Sequence, residues 1–168
     1  MHEGAYKFIF SMLERLEPRQ GVIELGSRTV AGDWPYSGPV RPLFGDAQYV
    51  GVDIAEGPNV DEVANAATFD QTWFPVDTVV CCETLEHTPE ADMICFNAWR
   101  MLDDHGVFLV TTAGEGRAEH SGVDGGPLRD GEFYRNVTRD KLRGWLTRFP
   151  FVLIDESNVG DIYALAVK

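Results

Sequence analysis

Acids, imidazoles and glycines fall at a few places in the sequence where chemistry could be built. Glu24 and Gly26 end the apolar run VIELGS (22–27), and Asp53 ends a second apolar run about 29 positions on. An acid and a tight glycine turn at the ends of buried strands offer a carboxylate and backbone amides to a nucleotide-like ligand. Asp53 can accept hydrogen bonds from both hydroxyls of a ribose, or simply form a turn. The segment GSRTVAG (26–32) lacks the G-x-G-x-x-G spacing that a pyrophosphate needs, so a ligand with a ribose and no pyrophosphate fits better.

A second group lies further along. In ETLEH (83–87), the spacing sets Glu83, Glu86 and His87 on one side of a helical turn. Two carboxylates and an imidazole can hold a divalent ion, and His120 could complete the set. His87 and His120 are equally candidates for a general base, with Asp124 able to orient an imidazole. The plainer alternatives stay open, with His87 capping the next helix and His120 exposed in a loop. In GEFYRNVT (131–138), Phe133, Tyr134, Arg135 and Asn136 either wall a substrate cavity or anchor the loop. The aromatic segment WPYSG (34–38) either covers a ligand or packs.

These residues need a scaffold, and the apolar pattern supplies one. Tyr6, Ile9, Met12, Leu13 and Leu16 recur at helical spacing and predict an amphipathic helix over 3–17, stopped by Pro18. GVIEL (21–25), QYVGVDI (48–54), VDTVVCC (76–82) and GVFLVTT (106–112) are rich in Val and Ile with little alternation, as strands buried on both faces require. Residues 89–102 predict a helix whose stripe through Met93, Phe96, Trp99 and Leu102 is its packing face. Residues 113–132 are glycine-rich and aperiodic, the mark of a long functional loop. Thr138 predicts the cap of a helix over 138–148. FVLIDES and DIYALAVK, joined through NVG, predict a closing hairpin. The order describes a doubly wound α/β sheet with an antiparallel strand at or near its edge.

Composition narrows the field. A chain of 168 residues with 44% hydrophobic content suits one compact domain. Its 14 basic and 27 acidic residues give a formal charge of −13, which repels polyphosphate and disfavours nucleic acid as a partner. Cys81, Cys82 and Cys95 show no zinc spacing. Adjacent Cys81 and Cys82 point to opposite faces of a strand, as small core residues in a reducing compartment. No basic-plus-apolar leader and no long apolar stretch is visible, so a cytoplasmic protein without a membrane span is expected.

The order of these pieces resembles the class I S-adenosylmethionine-dependent methyltransferases, in particular the type 11-like ones. VIELGS is similar to their first motif and YVGVDI to their second. VDTVVCCETLEHTPE resembles the segment around the fourth strand, and RMLDDHGVFLVTT the fifth. GSRTVAGDWPYSGPVRPLFGDAQYVGVDIAEGP and HSGVDGGPLRDGEFYRNV are similar to a branch in phage and actinobacterial proteins. The resemblance implies a Rossmann-like, mostly parallel sheet of seven strands or slightly fewer with a C-terminal antiparallel hairpin. It implies one methyltransferase domain over 1–168: an N-terminal helix (1–17), a cofactor-binding half (20–112), a substrate loop (113–137), and a C-terminal helix and hairpin (138–168). The implied cofactor is S-adenosylmethionine. Glu24, Gly26 and Ser27 would flank its methionine part, Asp53 its ribose, and Ile54 and Asn65 its adenine. Cys82 and Glu83 would line the fourth strand's exit. One position departs from the family's E/D-x-G-x-G, because Arg28 stands where the second glycine belongs.

The expected function is O-methylation of a small molecule or sugar hydroxyl. Glu83, Glu86, His87 and His120 resemble the ligand set of metal-assisted O-methyltransferases, so a divalent metal is a further expectation. Two alternatives accompany it: a cofactor-binding module without turnover, which Arg28 favours, and an RNA ribose methyltransferase. The segment CETLEH lacks the Asn/Asp-Pro-Pro-aromatic motif of DNA N-methyltransferases.

Overall fold

The computed structural model describes residues 1–17, 19–30, 39–70 and 73–168. Its centre is a seven-stranded sheet in the order β3-β2-β1-β4-β5-β7-β6. The strands are β1 (Gly21–Leu25), β2 (Gln48–Asp53), β3 (Glu62–Val63), β4 (Thr78–Cys82), β5 (Val107–Ala113), β6 (Phe151–Asp155) and β7 (Asp161–Val167). β1 to β5 are parallel, and β7 runs antiparallel to both β5 and β6. The winding runs from β1 outward to β3, then restarts at β4 on the other side of β1, so the reversal lies between β1 and β4. Ligands of such sheets bind beyond the carboxyl ends at that reversal.

Every residue of β1, β4 and β5 is buried. Their Val- and Ile-rich runs therefore face apolar layers on both sides. One layer is α1 (Glu3–Leu13), which buries Ala5, Phe8, Ile9 and Met12 against Val22, Val80, Leu109 and Tyr163. The His2 side chain caps α1 by accepting from the Gly4 amide, and the helix ends four residues earlier than its apolar pattern predicts. The other layer contains α2 (Ala91–Met101) and α3 (Arg139–Trp145), packed on Ile23, Val79, Phe108 and Val110. Cys81 belongs to this second core and Cys82 to the first, as strand alternation requires.

Two expectations need correction. The buried face of α2 is Ala91, Ile94, Cys95 and Ala98; of the expected stripe, Leu102 just past the helix is in the core, Trp99 packs at its edge, Phe96 is half-buried and Met93 is exposed. Small Ala and Cys side chains let the helix approach the sheet closely, and the larger aromatics lie toward the edge, where Arg148 covers both rings. In addition, β3 and the short 3-10 turns Arg41–Phe44 and Leu85–His87 carry no pattern long enough to read from sequence. Thr138 does cap α3, accepting from the Lys141 amide. WPYSG (34–38) lies outside the described residues.

Candidate active site

The first strand tip is built by backbone constraint. Gly26 has φ +80, and a Cβ there would lie 1.9 Å from Thr84 Oγ1, so the turn after β1 closes against the chain leaving β4 only as glycine. The Gly26 and Ser27 amides both donate to Val52 O, at 2.8 and 3.0 Å. This brings the turn beside the end of β2, where the Arg28 amide donates to Asp53 Oδ2 (3.0 Å) and the Ala55 amide to Oδ1 (3.1 Å). Each Asp53 oxygen keeps a lone pair for another donor. Next to it, Ile54 is 77% exposed, an apolar side chain left open beside a carboxylate.

Other predicted residues on this side are already engaged. Glu24 turns into the α1 layer, and its Oε2 accepts from Tyr49 OH (2.8 Å) and Asn59 Nδ2 (2.7 Å). Burial raises the Glu24 carboxyl to about 7, against the opposing pull of those two hydrogen bonds. Asn65 donates to Glu90 Oε2 (3.0 Å) and accepts from the Ala67 amide (2.8 Å), which ties the segment before α2. The Cys82 side chain is packed in the core, and burial pushes its thiol well above the ordinary range.

The fourth strand ends in two acids with different surroundings. Glu83 adopts φ +51, a left-handed conformation uncommon for a residue with a side chain. Its amide donates to Thr111 O, while Oε2 lies 3.4 Å from His2 Nε2 and 3.5 Å from Arg117 Nη2. His2 and Arg117 also pair with Asp161. Burial would raise the Glu83 carboxyl, but His2 and Arg117 outweigh it and hold it below the usual range. Burial alone would lower His2, yet hydrogen bonds and charge from Asp161 and Glu83 raise it to about 9.

Glu86, three residues on, is wholly buried and accepts from Thr112 Oγ1 (2.8 Å) and from the Ala113 amide (3.1 Å). Burial and the charge of Glu83 raise its carboxyl above the ordinary range. Ligand atoms of Glu86, His87 and His120 lie within 4.8 Å of one another. The His87 ring stands 4.9 Å from His120 and 5.4 Å from Tyr134, centroid to centroid, so the three rings form one cluster. Burial, reinforced by His120, lowers His87 to about 4 and keeps its imidazole neutral near pH 7. The structure thus unites three of the four predicted metal ligands. Glu83 is not in that group, because His2 and Arg117 draw its carboxylate toward Asp161. Asp124 also departs from expectation: it pairs with Arg129 and accepts from the Gly126 amide rather than orienting an imidazole.

No protein-family model matches the sequence, and no curated protein matches it. Solved structures do. DhpI in complex with S-adenosylhomocysteine superimposes with a TM-score of 0.67 at 19% identity, over 97% of this chain and 83% of that one. A 1,6-didemethyltoxoflavin-N1-methyltransferase of Burkholderia thailandensis, bound to its substrate and S-adenosylhomocysteine, gives 0.63 at 14%, over 99% and 77%. EvdMO1 gives 0.64 at 17% over 98% of this chain, which spans only 41% of that protein. The fold is that of the class I S-adenosylmethionine-dependent methyltransferases.

In that methyltransferase fold the strand tips carry a further sign of a ligand. Ser27 Oγ and His87 Nδ1 are buried without a hydrogen-bond partner among the described residues. Buried polar atoms are normally satisfied, and leaving one unpaired costs about 1–3 kcal/mol. Two such atoms, beyond the ends of β1 and β4, fit a polar ligand seated at the winding reversal. Beside the close glycine turn, Asp53 offers free lone pairs and Ile54 an open apolar side chain. Sequence reasoning missed His2, Arg117 and Asp161, which converge on Glu83 from distant parts of the chain.

Proposed function

We propose that the chain is an S-adenosylmethionine-dependent methyltransferase acting on a hydroxyl of a small molecule or sugar, with a divalent ion held by Glu86, His87 and His120. The observation that carries this reading is the adjacency of two sites. A carboxylate and an exposed apolar side chain at the tip of β2 stand across the sheet reversal from a cluster of two imidazoles, a phenol and a buried carboxyl. Support for a small acceptor comes from the Burkholderia thailandensis enzyme, whose substrate is a small heterocycle, and from the acidic balance of this chain. The three buried free cysteines suit a reducing, cytoplasmic setting. No helix among the described residues is long and apolar enough to cross a membrane.

Bound S-adenosylmethionine supplies a methyl group on a sulfonium, open to in-line attack by an oxygen. Asp53 accepts the ribose hydroxyls, and Ile54 covers one face of the adenine. Methyl transfer needs alignment above all, and effective molarities from such positioning are large. Beside the acceptor, the neutral His87 ring carries a buried Nδ1 with no partner among the described residues, an atom able to hold the acceptor's proton or to ligate an ion. His120 engages Ala118 O through Nδ1 and leaves Nε2 for the same task. An imidazole pair with one carboxylate suits a borderline divalent ion, which would lower the pKa of a hydroxyl bound to it.

Calorimetry with S-adenosylhomocysteine tests the first half, and the expected result is saturable binding that Asp53→Ala weakens. Titration with zinc or manganese tests the second, with binding lost in His87→Ala and His120→Ala. Absence of nucleoside binding in the intact chain overturns the whole reading. Absence of metal binding removes the ion and leaves the imidazoles as bases.

A further inference from the structure

Arg28 occupies the position where the resemblance calls for a second glycine, and it is tied to three places at once. Its amide donates to Asp53 Oδ2, and its Nε lies 3.8 Å from Asp53 Oδ1. Its stem runs over Gly57, where a Cβ would sit 2.8 Å from Arg28 Cγ and Cδ. The far end of the guanidinium donates to Gly122 O (3.0 Å) and Val123 O (3.3 Å), 94 and 95 residues along the chain. Gly122 in turn lies flat on His87, since a Cβ there would be 3.1 Å from His87 Cγ and Nδ1. His120, two residues earlier, completes the ring cluster.

We propose that Arg28 is a positioning residue that clamps the loop bearing His120 onto His87 and couples that clamp to the occupancy of Asp53. This rests on the methyltransferase reading given above. A planar guanidinium can fork between two carbonyls while facing a carboxylate, which a lysine cannot do. The segment between β5 and α3 has no helix or strand, so beyond a few backbone bonds such as Ser121 N–H to Gly126 O it depends on side-chain donors of this kind. Asp53 and the two carbonyls share one cation. Ribose hydroxyls that donate to Asp53 withdraw its carboxylate from Arg28 and leave the fork to the loop. Donor binding therefore tightens the acceptor side, and linkage makes the effect reciprocal.

Hydrogen exchange over residues 118–126, measured by mass spectrometry on the full chain, tests the clamp. Without ligand, Arg28→Ala is expected to speed exchange there about tenfold or more, while distant strands stay protected. Arg28→Lys, which keeps the charge and loses the fork, falls between the two, and it carries the comparison if Arg28→Ala melts at room temperature. S-adenosylhomocysteine is expected to slow the same peptides in the native chain and to leave them unchanged in a variant that still binds it. Unaltered ligand-free exchange in both variants overturns the clamp. Slowing by the nucleoside that persists in Arg28→Ala overturns the coupling. Failure of the native chain to bind the nucleoside by calorimetry refutes the methyltransferase reading, while the ligand-free arm still decides the clamp.

Discussion

Asp53 and Glu83 are acids at the ends of two parallel strands, and they are held in opposite ways. Asp53 is fixed by the amides of Arg28 and Ala55, one from the adjoining turn and one two residues on. Glu83 is fixed by side chains from His2 and Arg117, and its own backbone is strained into a left-handed conformation. Backbone donors leave a carboxylate with lone pairs to spare, so Asp53 can receive a ligand while the Arg28 and Ala55 amides keep hold of it. Side-chain cations from two distant parts of the chain neutralise the Glu83 carboxylate, so it is better suited to joining elements than to binding. Two residues of similar chemistry at equivalent places in the sheet thus serve different ends.

The largest expected effect breaks the backbone side of this comparison. Gly26→Ala must accept a positive φ and push its Cβ into Thr84, which lies 1.9 Å from the ideal position. Strain of that kind costs about 1–3 kcal/mol and overpacking about as much again, so a loss of roughly 2–6 kcal/mol is expected in denaturant unfolding. Thr84→Gly combined with Gly26→Ala relieves the contact and leaves the φ strain, which separates the two causes. Next in size, Asp53→Ala removes the proposed ribose acceptor. Hydrogen bonds to a charged group contribute about 1.5–3 kcal/mol, so nucleoside affinity is expected to fall about 10- to 100-fold in calorimetry with the fold intact. A smaller loss would place the ribose elsewhere.

Glu24 gives a pH-dependent contrast, because its carboxyl faces Tyr49 and Asn59 inside the protein, with Arg41 as the nearest helpful charge. Burial raises it from 4.5 to about 7, so between those values the folded chain binds a proton that the unfolded chain has released. Stability falls as pH rises through that window, and the loss is complete once the buried group has ionised. Glu24→Gln is expected to raise stability by about 1–2 kcal/mol at pH 8 and to change little at pH 4. Thermal melts of the two proteins at both pH values check this.

The same division between local and long-range support explains what the sequence makes legible. β1, β2, β4 and β5 are readable to within a residue or two, since a strand buried on both faces must be a continuous run of Val, Ile and Leu. Asp53 and Gly26 follow from those strand ends with no knowledge of tertiary contacts. Glu86, His87 and His120 meet as expected, although the first is held by Thr112 and Ala113, which no spacing announces. The network around Glu83 could not be foreseen, because His2, Arg117 and Asp161 come together only when α1 and the β6–β7 hairpin have docked. β3 failed for the opposite reason: two exposed residues have no pattern. The face of α2 is legible only in part: Leu102 and the edge of Trp99 do pack, but Ala91, Cys95 and Ala98, which pack by being small, give no large apolar signal.

The smallest expected effect tests whether Glu83 is a joint rather than a ligand. His2 is raised from 6.5 to about 9 by Asp161 and Glu83 against the pull of burial, so its folded state holds a proton more tightly than the unfolded one. The stability it contributes is fully present below about 6.5 and is lost as pH rises through 9. His2 is partly exposed, and solvent screening reduces the contribution to about 0.5–1 kcal/mol. His2→Gln is therefore expected to lower the melting temperature at pH 6 and to match the native chain above pH 10, with nucleoside affinity unchanged at both. A joint at Glu83 predicts that separation of stability from binding. If His2→Gln weakens nucleoside binding as much as Asp53→Ala does, Glu83 belongs with the ligand-binding acids and the contrast between the two strand tips fails.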